Sequence, residues 1–118
     1  MAHTAGLLRN TTTNEVIAEN VRYADTWLDR LAGFLPRREI APDDGLWFRD
    51  CWAIHTLGMR ARIDVIFLDG EGRVVRTERH VKSQRPIVSC LGAHSVVELG
   101  AGALDGRDVL AGDRLVLE

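Results

Sequence analysis

Apolar residues in this chain fall in short runs broken by turn residues, and almost none of the runs has helical spacing. The clearest is Ile63 to Leu68, apolar at every position except Asp64. A run without alternation reads as a central strand buried on both faces. Asp69-Gly70-Glu71-Gly72 follows as a hairpin turn, because glycine accepts the positive φ angles of tight turns. Arg73 to Val81 is then the return strand. It carries Val75, Thr77 and Val81 on one face and Val74, Arg76, Glu78 and His80 on the other. Leu46 to Phe48 and Trp52 to Leu57 read as short strands upstream. Ser95 to Leu99 and Arg114 to Leu117 read as two more, separated by a glycine-rich connection. Lys82 to Ala93, which contains Pro86, reads as a long loop.

One segment has helical character. Thr26 is placed to cap residues 26–33, with Asp29 three positions on, and Trp27, Leu28, Leu31 and Leu35 form a partial stripe before the stop at Gly33. Residues 1–14 are expected to be frayed, and Val16, Ile17 and Val21 to supply one or two short strands. Pro36 with Arg37-Arg38-Glu39 makes a loop, and Pro42-Asp43-Asp44-Gly45 a turn. Together these elements predict a mainly β fold, a compact sandwich or barrel with one short N-terminal helix, in a single domain over residues 1–118.

Composition narrows the partners. A chain of 118 residues that is 46% hydrophobic can bury about two-thirds of its unfolded surface. A net charge of −2 argues against a polyanion-binding protein. Between Arg60 and Arg85 seven basic residues face four acidic ones, and the balance turns acidic from Glu98 onward. Such a distribution can orient a partner, although a solvated strand face explains it more simply. No aromatics interleave with these charges, so no nucleic-acid partner is expected. The opening MAHTAGLLRNTTTN lacks a long apolar core and a small-residue cleavage site, and no apolar run reaches membrane-spanning length. The expectation is a cytoplasmic protein with no membrane insertion.

Candidate chemistry concentrates in residues 51–64. His55 beside Thr56 suggests a general base near a hydroxyl, yet neighbours on a strand point to opposite faces. Asp64 is an acid inside an apolar strand and needs a partner: Arg60, Arg62, His55 or a set of backbone N–H groups. Cys51, His55, His80, Cys90 and His94 are metal-ligand types, but they come from separate segments with no C-x-x-C pair. No metal or cofactor is therefore expected. A hydrolase using Cys51 or Cys90 as nucleophile has no local signature. Two isolated thiols are expected to stay free and buried.

The run Ile54-His55-Thr56, Met59, Asp64, Ile66-Phe67-Leu68-Asp69, Gly72 and Val74-Val75 resembles the family called domain of unknown function 192. Val97-Glu98-Leu99 with Gly102, Gly112-Asp113 and the upstream Arg30, Gly33, Phe34 and Leu35 extend the resemblance over Tyr23 to Glu118. It implies a compact all-β domain without an established activity, and an accessory role linked to bacterial envelope or pilus systems. The chain departs from the family at Leu57-Gly58 and Ala61-Arg62, where relatives tend to carry an aromatic and a proline. The leading expectation is a non-enzymatic binding or accessory module with a groove near His55, Thr56 and Met59, and with Asp64 holding the Arg60/Arg62 loop. Its partner would be a small ligand or a protein, and the chain a monomer or weak dimer. The alternative is a small hydrolase or metal-dependent enzyme using His55 with Cys51 or Cys90.

Overall fold

In the computed structural model, which describes residues 4–26 and 34–118, the apolar runs become nine β-strands. They are β1 (Gly6–Asn10), β2 (Glu15–Tyr23), β3 (Asp44–Arg49), β4 (Ala53–Ile54), β5 (Ile63–Leu68), β6 (Val74–Val81), β7 (Val88–Ser89), β8 (Ser95–Gly100) and β9 (Leu115–Leu117). Seven form one sheet in the order β6-β5-β8-β3-β2-β1-β9, and β4 pairs with β7 as a separate two-stranded ribbon. Neighbouring strands are antiparallel except β2 and β3. No helix occurs among the described residues. The helix expected over 26–33 falls on residues 27–33, outside those described.

The central strands explain the layering. Every residue of β5 and β8 is buried, in keeping with a run in β5 that is apolar at every position but Asp64. Ile63, Val65 and Phe67 face one core with Val96, Met59, Ile54 and Val88. Ile66 and Leu68 face a second core with Val97, Leu99, Leu8, Ile17 and Val21. Side-chain alternation along one strand thus feeds two apolar layers. Each fully buried large side chain contributes about 1.5–3 kcal/mol.

Three expectations change at the ends of elements. The first residues are not frayed throughout: Gly6–Asn10 is β1, paired on both sides with β2 and β9. Its polar end is anchored because buried Asn10 donates to Asp113 Oδ2 at 2.9 Å and accepts from Thr12 N at 3.0 Å. The strand expected over Trp52 to Leu57 shrinks to Ala53–Ile54, since the chain turns there to bury Thr56. Its partner β7 lies inside the segment expected to be loop. At the opposite end of the sheet, an antiparallel bridge between Arg73 and Arg114 brings β6 and β9 together. It is reinforced by Val74 N donating to Asp113 O at 2.8 Å and Leu115 N donating to Gly72 O at 2.9 Å.

One close approach fixes the loop before β3. A Cβ on Gly100 would lie 2.3 Å from Ile40 O and 2.1 Å from Ala41 O, so residues 40–41 rest directly on the last residue of β8. Gly100→Ala is therefore expected to destabilise the fold by about 1–3 kcal/mol through overpacking. Urea denaturation measures this, and an unchanged midpoint would show that residues 40–41 yield without cost.

Candidate functional site

Asp64 is fully buried and takes the backbone alternative among its expected partners. The pairing of β5 with β6 steps from Ile63↔Val81 to Val65↔Glu78, leaving Arg79 and His80 opposite Asp64 as a bulge. His80 adopts φ 50°, and its N–H donates to Asp64 Oδ1 at 2.8 Å. Leu104 N donates to Asp64 Oδ2 at 2.9 Å. The carboxylate is consumed by two backbone donors from different segments. The expected grip on Arg60 and Arg62 is not its role.

Thr56 is likewise structural. Its hydroxyl donates to Lys82 O at 2.8 Å and accepts from Arg85 N at 2.8 Å. Its backbone N donates to Arg85 O at 2.9 Å, and its carbonyl accepts from Gln84 N at 2.9 Å. Gln84 returns the contact: its side chain accepts from Gly58 N at 3.1 Å and donates to Met59 O at 2.9 Å. Residues 56–59 and 82–85 are thereby clasped. Met59 is buried in the first core.

The remaining candidates are dispersed, and only some of them line clefts. Exposed His55 and half-buried Cys51 line one of about 310 Å³ with Asp50 and Thr26. Cys51 Sγ donates there to Ala53 O at 3.1 Å. Cys90 is buried and free, His80 Nε2 sits 3.0 Å from Asp105 Oδ1, and His94 lies against Gly70. Among the described residues no three His, Cys, Asp or Glu side chains converge as a metal-binding group.

Arg60 and Arg62 instead join residues the sequence treated as plain loop. They line a cleft of about 550 Å³ with Arg37, Arg38 and Glu39, over a floor of Ile40, Ala41, Pro42, Ala61 and Ala101. The Ile40–Ala41 contact on Gly100 positions one wall, and the segment leading into β5 forms the other. Arg37 is fixed from behind by Asp44, whose Oδ2 accepts its Nη2 at 2.8 Å. Asn20, donating to Asp44 at 2.7 Å, and then Arg37 hold the Asp44 carboxyl below its usual range, against the opposing effect of burial. No acid holds Arg38, Arg60 or Arg62 among the described residues.

The sheet order, the bulge at Asp64 and the closing Gly112-Asp113 turn can now be set beside known proteins. The chain belongs to the domain of unknown function 192 family. The family profile, described as an uncharacterized ACR, matches residues 8–117 and so takes in the end of β1 and all of β2 as well as the region from Tyr23. A Sinorhizobium meliloti protein, described as a candidate transcription regulator, has a crystal structure similar to this domain of unknown function 192 chain. The TM-score is 0.81 at 22% identity, covering 99% of this chain and 96% of that one. A Novosphingobium aromaticivorans protein of unknown function is similar at a TM-score of 0.75 and 18% identity, covering 93% of this chain and 81% of that one. Identities this low carry the fold alone. No curated protein matches the chain. No described helix is long and apolar enough to cross a membrane.

Two outcomes follow from this geometry. Thr56→Val orphans Lys82 O and Arg85 N and is expected to cost about 1–3 kcal/mol, whereas exposed His55→Ala should cost far less. Equal losses in chemical denaturation would contradict the clasp. For Asp44, a pKa depressed below 3.8 means that its contribution to stability is present above that unfolded value and is lost as pH falls through the folded one. The thermal midpoint of Asp44→Asn should therefore fall less steeply than that of the native chain from about pH 6 to about pH 3. Parallel profiles would remove Asp44 from the acid response.

Proposed function

We propose that this protein is a non-enzymatic binding module whose ligand sits in the cleft between residues 37–42 and 60–62. The observation that carries the reading is the separation of polar residues by role. Asp64 and Thr56 are committed to backbone donors and acceptors, while Arg38, Arg60 and Arg62 stand at an open cleft with no acid holding them among the described residues. The partner is a small ligand or an exposed element of a protein, which fits the accessory role expected from the family resemblance. The curled sheet is best understood as a barrel drawn together at the Arg73–Arg114 bridge, a scaffold that leaves recognition to its loops. Nucleic acid fits poorly, because the net charge is −2 and no aromatic platform lines the cleft among the described residues.

The hydrolase alternative retains one supporting fact, the shared cleft of Cys51 and His55. Against it, Cys51 already donates to Ala53 O, and Cys90 lies buried in the first core.

Backbone amide NMR of the whole chain, titrated with a panel of small carboxylates, phosphates, amines and neutral sugars, separates the two. The binding reading predicts amide perturbations confined to residues 37–41, 60–62 and 101, with the ligand recovered unchanged. Conversion of a panel member that Cys51→Ser or Cys90→Ser abolishes would overturn it, as would the absence of any response at the cleft.

A further inference from the structure

We propose that the cleft takes a small multivalent oxyanion, a phosphate or carboxylate compound carrying two or more negative charges. This deepens the binding reading above and rests on it. Most arginines on this surface already have a counter-charge close by. Arg76 and Arg85 share Glu78, Arg49 holds Asp25, and Arg107 reaches Glu15. Among the described residues only Arg22, Arg38, Arg60, Arg62 and Arg114 form no ion pair with a carboxylate. Three of these five line the same cleft, although they come from segments more than twenty positions apart in sequence.

Charge explains what such a cleft wants. Among the described residues, four guanidinium groups share its lining with one carboxylate, that of Glu39. Like charges gathered at one concavity repel, and the repulsion grows wherever water is displaced. An anion bridging them removes that cost and supplies acceptors for the planar N–H forks, which match carboxylate and phosphate oxygens in pairs. Several forks around one space favour several negative charges on the ligand. Arg37 is already occupied by Asp44, so it adds field at a fixed point, while Arg38, Arg60 and Arg62 are left to make the contacts. Ala61, Ala101 and residues 40–42 complete the lining with small or apolar groups. About 550 Å³ lies within the range of small-molecule sites.

Isothermal titration of the full chain with tripolyphosphate and with citrate tests the inference, with glucose as the uncharged control. At least one anion should bind and glucose should not. Arg60→Gln/Arg62→Gln should weaken binding about tenfold or more, and Arg38→Gln alone should weaken it measurably. Arg73→Gln/Arg114→Gln removes two guanidinium groups from a different surface cleft and should leave binding unchanged. All five positions are exposed, so the variants are expected to fold, and their thermal midpoints check this. Tighter binding of tripolyphosphate assigns phosphate as the source, and tighter binding of citrate assigns carboxylate. Failure of both anions, or equal loss in the two double variants, overturns the proposal. If a neutral or cationic panel compound maps to the cleft by NMR while the anions fail, the binding reading stands and this inference falls.

Discussion

Asp64 is the constraint around which the fold is arranged. A carboxylate with no exposed surface in a central strand has to be satisfied internally, because leaving it unpaired in the core costs several kcal/mol or forces it to take a proton. The solution reshapes its neighbours. β6 bulges so that His80, in a left-handed conformation, turns its N–H away from the ladder and toward the acid. The segment after β8 is drawn in through Leu104 N. One side chain thereby joins β5, β6 and the glycine-containing turns that follow β8.

A second clasp completes the positioning of the candidate site. Thr56 and Gln84 tie residues 56–59 to 82–85, so the chain leaves Met59 for Arg60 from a fixed point. From Arg62 it enters β5, where pairing with β6 and β8 holds it. Facing it, residues 40–41 lie on Gly100, a contact that any side chain there would block. Arg38, Arg60 and Arg62 take no part in these contacts, and of the cleft arginines Arg37 alone helps to hold a wall, through Asp44. That is what is expected where the scaffold provides shape and the exposed side chains provide recognition.

The sheet was largely legible from residue order, and the site was not. Ile63 to Leu68 identified itself as a buried strand because no position but Asp64 was polar, and Asp69 to Gly72 announced its turn. β1 was hidden because its role depends on Asn10 reaching Asp113, more than a hundred positions away. β7 was hidden because two residues are too few to show a period. The emphasis on His55, Thr56 and Met59 came from their density of reactive types, whereas burial made Thr56 and Met59 structural. Arg60 and Arg62 were visible as part of a basic excess. Their meaning came from Arg37 and Arg38, in a segment placed by the Gly100 contact at residues 40–41 and the Arg37–Asp44 pair rather than by local pattern. Glu98, fully buried in β8, shows how little strand alternation says about a buried acid.

Family membership fixes the architecture of this chain, and the chemistry of its surface has to be read from its own residues. The central claim is that a fixed scaffold leaves Arg38, Arg60 and Arg62 at one cleft for an anion, while most of the other described arginines already have a carboxylate partner. Arginine Nε–H resonances report on this directly, observed during titration with tripolyphosphate and, separately, with citrate. The account predicts that the signals of Arg38, Arg60 and Arg62 move together along one saturating curve, while those of Arg76, Arg85 and Arg107, already engaged with Glu78 and Glu15, stay in place. A uniform drift of all these signals, or saturation at the paired arginines instead, would contradict it.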